Sequence, residues 1–301
     1  MNPGKTEEIK KRGNRLGMAI FRAALRLFGL SGAYGLLYFV GLYYLAFDRS
    51  AVASSMAYIR RRFRGYGFLR RILGVYLIFI NQGKNLIDRH YLISGLGGFD
   101  IELNGYDKLN SLLGESRKGI ILLTAHVGNW QVAMTALEKL GRTVYLVMRP
   151  EENAAVKDAL NIDSEQGSIR IISSENFLGG VVEIMSVIDQ GCLVSIMGDR
   201  SYGQNFTEAV LMGDMVKLPH GAFSIAAAAE CPVVVLWSAR LSAKKYIVDV
   251  SHIIGPVQGT KTEKNEKVRN CVQEFAGVLD NYAALYPFQW FVFGDIWEGK
   301  S

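Results

Sequence analysis

The length, composition and charge of the chain limit what kind of protein it can be. Its 301 residues are enough for one large α/β domain or two modest ones, and 50% of them are hydrophobic. The formal net charge of +6 is compatible with an anionic partner, whether nucleic acid, acidic lipid or a phosphorylated substrate. Cys192, Cys231 and Cys271 form no CxxC pair, which argues against a disulfide framework or a zinc site and is typical of a reducing compartment.

The N-terminal part has the composition of a membrane-associated segment. Residues 27–47, LFGLSGAYGLLYFVGLYYLAF, contain no charge, and spanning a bilayer takes about 20 apolar residues. A cleaved signal peptide fits poorly because the run is too long and no small-residue cleavage site follows it. Lysines and arginines flank the run on both sides, so the positive-inside rule selects no orientation. Glycines within the run favour a membrane-embedded hairpin or an oblique helix, with a clean single span as the alternative.

The next segment mixes arginines with aromatic and aliphatic side chains. Residues 58–80 read YIRRRFRGYGFLRRILGVYLIFI, which is typical of a segment at the membrane interface. The alternative is a surface helix that packs its apolar face on the domain behind it. Nucleic-acid binding is not expected here, since a long uncharged run directly precedes the basic patch. We therefore predict a membrane-anchoring helical region over 1–95 and an α/β domain over 96–301.

The rest of the chain alternates between strand and helix patterns. Alternation of strands with helices predicts an α/β fold with a mainly parallel sheet flanked by helices, in which ligands lie beyond the carboxyl ends of the strands. The predicted strands are 119–125, 143–148, 168–172, 192–197, 232–237 and 245–250. The predicted helices are 129–140, 154–161, 176–189, 219–230 and 264–285.

One strand ends at a histidine in the stretch LLTAHVGNWQVA, residues 122–133. The helix that follows places position 131 in its first turn, facing back toward the imidazole of His126. A carboxylate at position 131 would hold the Nδ1–H and leave Nε2 free as a general base. This chain has Gln131 there instead. Taken alone, a histidine at a strand end is also compatible with a purely structural role.

Five motifs, in order, resemble one family. The stretch around His126 is similar to the HxxxxD/E block of the lysophospholipid acyltransferase superfamily, most closely to the H-x-G-N-W-E form of the late lipid A (lauroyl and myristoyl) acyltransferases. The other blocks are similar to its R-P-x-x-N, D-x-x-Y-G, P-x-G and Y/H-P-x-Q-W segments, and the resemblance covers about 120–297. They read VMRPEEN (147–153), MGDRSYG (197–203), LMGDMVKLPHGAFSIA (211–226) and YPFQWFVFGDIW (286–297).

The resemblance implies a fold, an activity and a location. The fold would be glycerolipid acyltransferase-like, with an N-terminal membrane-associated helical segment. The enzyme would move a fatty acyl chain from acyl-carrier protein or acyl-CoA to a hydroxyl of a glycolipid or other lipid A-like acceptor. It would work at the cytoplasmic face of the bacterial inner membrane, in contact with lipid and not with nucleic acid. The chemistry requires no metal and no organic cofactor.

The resemblance also assigns roles to individual residues. His126 would be the catalytic base, with Gln131 in the position of the family's acid. Asp199 and Arg200 would shape the acceptor site, or form a structural ion pair with each other.

Three further residues are candidates for substrate binding, each with a structural alternative. Arg149 would bind a phosphate of the acceptor or donor, or form a surface salt bridge. Asn129 would orient the acceptor, or cap the helix. Gly128 would let the backbone approach the substrate, or make the tight turn. His220, at a predicted helix start, is interpreted as structural.

The amide at position 131 is the main departure from the family pattern. Its oxygen can accept a hydrogen bond from Nδ1–H, but it cannot supply the negative charge that stabilises an imidazolium. Asp199, from the neighbouring strand end, is a conceivable substitute for the missing acid, but the sequence gives no distance between it and the ring. Three hypotheses follow: an active membrane-bound O-acyltransferase with a modified dyad, a non-catalytic lipid-binding relative, and a related hydrolase or transferase that uses water or an amine as the acceptor.

Overall fold

A computed structural model describes most of the chain. It covers residues 15–115, 117–137, 140–148, 169–175, 180–200, 205–292, 294 and 296–297. Arg149 and the helix predicted over 154–161 lie outside the described residues. The same holds for most of the predicted R-P-x-x-N block.

The N-terminal part is helical. It contains α1 (Arg15–Phe47), α2 (Arg49–Arg62) and α3 (Phe68–Ile93). The side chains of Leu30, Ala33 and Leu37 on α1 pack against Ile80 and Ile87 on α3 in a separate apolar cluster. The two helices are antiparallel, because a Cβ at Gly83 would touch Leu37 and one at Gly41 would touch Ile80.

One described helix is long and apolar enough to cross a membrane. Residues Ile20–Phe47 have a mean hydropathy of 1.4 and are 28% buried over the best window. The segment is not one straight rod, because Gly29 has a φ of +64° and interrupts α1. The apolar N-terminal helix is weak evidence for membrane association, and the choice between span, hairpin and oblique helix stays a prediction.

The remainder forms a seven-stranded sheet with helices on both faces. The strand order is β1-β9-β8-β2-β5-β3-β4, and only β8 and β9 pair in antiparallel orientation. The strands are β1 (Asp100–Asn104), β2 (Ile120–Thr124), β3 (Val144–Met148), β4 (Ile169–Ser173), β5 (Leu193–Met197), β8 (Val233–Arg240) and β9 (Lys245–Ile254). The helices are α4 (Tyr106–Glu115), α5 (Trp130–Leu137), α6 (Val181–Asp189), α7 (Gly221–Ala229) and α8 (Lys261–Leu285).

The middle strand β2 shows why the sheet is parallel and buried. Its residues IILLT are all buried, with Ile121 and Leu123 in the core cluster of one face and Ile120 and Leu122 in that of the other. A run that is apolar on both sides is typical of strands covered by helices on both faces. Since β5 and β8 flank β2 in parallel, the carboxyl ends of these three strands meet at one edge of the sheet.

A small hairpin lies outside the main sheet. Strands β6 (Phe206–Leu211) and β7 (Asp214–Pro219) pair through a two-residue turn, Met212–Gly213. Both turn residues have positive φ, the geometry of a type I′ turn, which matches the twist of a hairpin. Gln273 of α8 fixes the outer strand by accepting from Val210 N and donating to Val210 O.

The predicted fold class is confirmed: the structure is a mixed α/β fold with a mostly parallel sheet flanked by helices and an N-terminal apolar helix. The six predicted strands correspond to β2, β3, β4, β5, β8 and β9. Strand β1 and the β6–β7 hairpin were not predicted. The domain boundary at 95/96 stays a prediction.

Candidate active site

His126 lies two residues beyond β2, at the carboxyl edge of the sheet. Its Nδ1 is 2.8 Å from Oδ1 of Asp199, which lies two residues beyond the neighbouring parallel strand β5. A carboxylate only accepts hydrogen bonds when ionised, so Nδ1 carries the proton, and no group among the described residues bonds Nε2. The imidazole side chain is 25% exposed, which leaves the ring open to a reactant on one side.

Asp199 is a buried, ionised carboxylate. Its side chain is 2% exposed, and burial by itself would raise its pKa. The charge and hydrogen bond of His126, the charge of Arg200 and a hydrogen bond from Trp290 outweigh that effect and hold the pKa of Asp199 well below its usual range. The other oxygen, Oδ2, accepts from the backbone N–H of His126 at 3.0 Å and from the indole Nε1 of Trp290 at 3.0 Å. One carboxylate thus fixes both the ring and the backbone of His126.

A segment near the C-terminus, residues 286–291, closes over this pair. The N–H of Phe291 donates to the carbonyl of His126 at 2.8 Å, and the N–H of Gly128 donates to the carbonyl of Gln289 at 2.8 Å. Trp290 is fully buried, pairs with Val127 in an isolated antiparallel bridge and packs edge-on against Tyr58. The YPFQW motif therefore contributes backbone groups and an indole that hold the turn at residues 126–129, which we call the histidine turn.

The glycine after the histidine is required by close packing. Gly128 has a φ of +51°, and a Cβ there would lie 1.7 Å from the carbonyl oxygen of Ser238 on β8. Only glycine combines that backbone angle with that approach. The structure therefore accounts for Gly128 by the tight turn against β8.

Asn129 is directed into the protein. It is 2% exposed, its N–H donates to Oγ of Ser238 at 2.9 Å, and its Nδ2 donates to the carbonyl of Asn85 at 3.3 Å. The side chain makes no capping bond, and its Oδ1 has no hydrogen-bond partner among the described residues. The role of Asn129 in orienting the acceptor stays a prediction.

Helix α3 carries a buried polar face beside the histidine turn. The Nδ2 of Asn85 donates to the carbonyl of Gly128, and one turn later Asp88 accepts from the hydroxyls of Tyr34 and Tyr246. Burial raises the pKa of Asp88, although both tyrosine hydrogen bonds and the charge of Arg240 oppose the rise. This face was not predicted; its sequence signal is the polar residues Asn81, Asn85 and Asp88 at helical spacing within an apolar pattern.

Gln131 does not hold the imidazole. It is 8% exposed in the first turn of α5, as its position predicted. In the part of the chain that the structure describes, however, the ring's Nδ1 bonds to Asp199 and Gln131 makes no hydrogen bond to it. The physical reason is that a carboxylate makes a stronger, charge-assisted hydrogen bond to the ring than an amide oxygen can. The expected orienting contact from Gln131 is therefore supplied by Asp199.

Of the other residues singled out in the sequence, Arg200 lies at the site and His220 contacts a strand of the hairpin. Arg200 donates from Nη2 to the carbonyl of Phe291 at 2.8 Å, so it fixes the C-terminal segment while its charge acts on Asp199; within the described ranges it forms no salt bridge with that carboxylate. His220 contacts Oγ1 of Thr207 at 3.2 Å, in keeping with a structural role. Among the described residues, no group of His, Cys, Asp and Glu side chains could hold a metal ion.

The arrangement has the parts of a general acid–base site. One nitrogen of the partly exposed imidazole has no partner in the described part of the chain, and the other is held by a buried anion that favours the positive charge the ring would gain on accepting a proton. Such a pair can activate a hydroxyl, or water, for attack on a carbonyl carbon.

Comparison with known proteins bears on which reaction this is. A search of curated proteins found no match to the chain. The model of one protein family, described as bacterial lipid A biosynthesis acyltransferase, matches residues 82–298. The matched range contains Asn85 and Asp88 of the polar face of α3, the histidine turn, Asp199 and the segment that closes over them. Because the match covers more than half of the chain, the protein belongs to the bacterial lipid A biosynthesis acyltransferase family, which supports a lipid acyltransferase function.

Proposed function

We propose that the chain is a membrane-associated O-acyltransferase that moves a fatty acyl group from acyl-carrier protein or acyl-CoA to a hydroxyl of a lipid A-like glycolipid. The observation that carries this proposal is the contact between His126 Nδ1 and buried Asp199, because the partly exposed ring then keeps Nε2 without a partner among the described residues. The reaction takes place at the cytoplasmic face of the bacterial inner membrane, where acyl thioesters and the lipid acceptor are both present.

The reaction needs one base and no cofactor. Nε2 of His126 takes the proton of the acceptor hydroxyl as its oxygen attacks the thioester carbonyl. The tetrahedral intermediate then collapses, which breaks the carbon–sulfur bond and releases the carrier as a thiolate. The imidazolium returns its proton to that thiolate, and the products are an ester and a free thiol.

Asp199 acts through the histidine. Its ionised carboxylate keeps the proton on Nδ1 and stabilises the imidazolium during transfer, as the aspartate does in serine-protease triads. The low pKa of Asp199 means that it keeps its charge at every pH at which the protein would work. Gln131 has no necessary part in this scheme.

The alternative is a non-catalytic lipid-binding relative, which the amide at position 131 motivates. Asp199 supports the catalytic proposal instead. Although position 131 lacks the family's acid, the imidazole still bonds a buried carboxylate. A hydrolase or an amine acyltransferase would use the same pair with a different nucleophile, so only the acceptor distinguishes these activities.

The test is acyl transfer by purified protein in detergent. Labelled acyl-carrier protein and acyl-CoA are supplied in parallel with a lipid A precursor, with water alone and with an amine-bearing lipid. We expect an ester on the lipid A precursor, and a loss of at least about a thousandfold in rate for His126→Ala. His252→Ala is the matched control, because His252 also contacts a carboxylate, Glu274 at 2.9 Å, on the exposed surface.

Two results would count against the proposal. Transfer that persists undiminished in His126→Ala would show that the base is misassigned. Binding of lipid without turnover of any acyl thioester would favour the non-catalytic relative.

A further inference from the structure

A basic cleft lies between the end of α2 and the turn of the β6–β7 hairpin. It has a volume of about 470 Å³ and is lined by Ala57, Arg60, Arg61, Arg64 and Asp214; we call it the arginine cleft. Three guanidinium groups face a single carboxylate, so the cleft keeps a positive excess. An anion is therefore the complementary ligand.

Two of these arginines are held in place by the hairpin. Arg61 donates from Nε to Oδ2 of Asp214 at 2.7 Å, and Arg64 donates from Nη2 to the carbonyl of Met212 at 2.8 Å. Each guanidinium has five N–H donors, so these contacts leave other donors available. Arg60 is exposed and has no hydrogen bond, ion pair or ring contact among the described residues. The fork geometry of such groups suits a phosphate better than a chloride or a single carboxylate oxygen.

The rim of the cleft is apolar and exposed. Phe68 and Leu69, which begin α3, are 71% and 80% exposed, and the same turn of α3 contacts the cleft because Arg71 donates from Nη2 to the carbonyl of Arg64 at 3.1 Å. Guanidinium groups beside exposed apolar side chains match the boundary between headgroups and acyl chains in a bilayer. A phosphate free in solution would leave those apolar side chains without a partner, so the geometry favours a phosphate that carries acyl chains.

The cleft is separated from the imidazole by two buried indoles. The guanidinium of Arg61 lies 4.5 Å from the ring of Trp297, that ring packs against Trp290 at 6.1 Å, and Trp290 bonds Asp199. A ligand in the cleft therefore does not occupy the position of the reacting hydroxyl. It would anchor α2 and the C-terminal segment that holds the histidine turn.

We propose that the arginine cleft binds the phosphate of an anionic bilayer phospholipid, with Phe68 and Leu69 inserted among its acyl chains. This lipid is a docking partner and is not consumed. This proposal does not depend on catalysis by His126, so we expect His126→Ala to bind the membrane like the wild-type chain. A failure of the acyl-transfer test would therefore not contradict the lipid-binding proposal.

The test compares binding of the full chain to vesicles of phosphatidylcholine alone and of phosphatidylcholine mixed with phosphatidylglycerol. The readout is the ratio of the two affinities, because the apolar surface of α1 contributes to both. One basic residue near an anionic surface contributes about fivefold in affinity. We expect Arg60→Ala to lower the ratio about fivefold and Arg60→Glu roughly 30-fold, with unchanged circular dichroism.

Arg269 provides the matched control. It is exposed on the first half of α8 and, like Arg60, has no partner among the described residues. Arg269→Ala and Arg269→Glu are expected to change the ratio by less than about twofold. If Arg269→Glu lowers it as much as Arg60→Glu, net charge and not the cleft drives binding, and the proposal is overturned. An unchanged ratio in the Arg60 variants overturns it as well.

A second arm separates lipid from free phosphate. Inorganic phosphate is titrated into the wild-type chain in a zwitterionic detergent, with binding followed by calorimetry. We expect no saturable binding, since the apolar rim then finds no partner. Saturable binding that disappears in Arg60→Ala would assign the cleft to a soluble phosphate and overturn the lipid assignment.

Discussion

At His126 the orientation of the ring depends on one buried carboxylate. Asp199 bonds the imidazole, the backbone of the same residue and the indole of Trp290. The sequence identifies His126 by its place at a strand end, and it identifies Asp199 as a candidate in the same way. The sequence alone gives no distance between the two side chains. They are 73 residues apart, and the pairing of β2 with β5 brings them together.

Replacing Asp199 by asparagine removes the negative charge but keeps the shape of the side chain, so the variant tests what the charge contributes. We expect Asp199→Asn to lower kcat by about 10³–10⁴, the scale seen when an orienting aspartate becomes an amide. We also expect it to lower the free energy of unfolding at neutral pH by about 2–3 kcal/mol, because the buried carboxylate loses its charge-assisted hydrogen bonds from His126 and Trp290. Rates are measured with the transfer assay, and stability by denaturant unfolding in detergent.

The stability difference should depend on pH in one direction. Since the pKa of folded Asp199 lies below its usual range, the ionised form contributes stability above about pH 3.9, the ordinary value for the unfolded chain. That contribution is lost as the pH falls from there through the folded-state value. The gap between wild type and Asp199→Asn should therefore narrow below about pH 4; a gap that widens there would contradict the assignment.

Gln131 should tolerate substitution far better than Asp199. Because no hydrogen bond joins Gln131 to the imidazole in the described structure, we expect Gln131→Ala to lower kcat by less than about tenfold, mainly through the small cavity it leaves. The two variants are compared in one assay at saturating donor. A loss equal to that of Asp199→Asn would show that the amide takes part in the reaction.

At the scale of elements, helix α3 links the N-terminal helices to the histidine turn. One face of α3 packs against α1, while Asn85 and Asp88 contact the turn, β9 and α1 through hydrogen bonds. The helix therefore does more than anchor the chain. Its polar groups fix the backbone on which the imidazole is mounted, and the match to the family begins at residue 82, within this helix.

Asn85 should accordingly position the catalytic turn. Asn85→Leu leaves the carbonyl of Gly128 buried without its donor, a change that costs about 1–3 kcal/mol. We expect kcat to fall while KM for the acyl donor changes little. Leu86→Ala, at an exposed neighbouring position, is the control and should leave both parameters near wild type. If Asn85→Leu alters only stability and not kcat at a temperature where it is folded, Asn85 has no positioning role.

The elements that the sequence predicted share one property. Strands β2, β3, β4, β5, β8 and β9 carry strong apolar patterns, which alone predict a buried sheet. Strand β1 was missed because three of the residues of DIELN are polar and its side chains alternate between exposed and half-buried, which leaves no buried apolar run. The β6–β7 hairpin was missed because its turn is Met212–Gly213 with Met212 at positive φ, where a local signal would have required Asn or Asp. Tertiary contacts from Arg64 and Gln273 hold this hairpin instead.

At the scale of the whole molecule, the exposed apolar surface is concentrated on the N-terminal helices. Phe39, Leu42, Tyr43 and Phe47 form one exposed face of α1 at spacings of three and four residues. This face and the rim of the arginine cleft would both enter a bilayer. The histidine turn is fastened to Asn85 of α3, the helix whose first residues form that rim, so under the proposed function the imidazole would be held close to the membrane in which an amphipathic acceptor lies.

Charges on this face should release the chain from the membrane. Phe39→Glu/Leu42→Glu replaces two apolar side chains that are exposed on the protein and would lie in lipid. We expect this to weaken membrane partitioning by roughly 3 kcal/mol, or about a hundredfold. The measurement is the distribution between membrane and soluble fractions after lysis. Asn265→Glu/Asn270→Glu adds the same charge on the exposed surface of α8 and should stay with the membrane. Equal distributions for both variants would mean that α1 does not contact lipid.

The closure of residues 286–291 over the histidine turn has a consequence for how the protein matures. These residues are synthesised after every strand of the sheet, yet they supply the bonds from Phe291, Gln289 and Trp290 that set His126 and Asp199. A nascent chain whose sheet has already folded therefore lacks a fixed imidazole until residues 286–291 have left the ribosome. Until then the folded sheet carries His126 and Asp199 without the bonds that hold them for proton transfer.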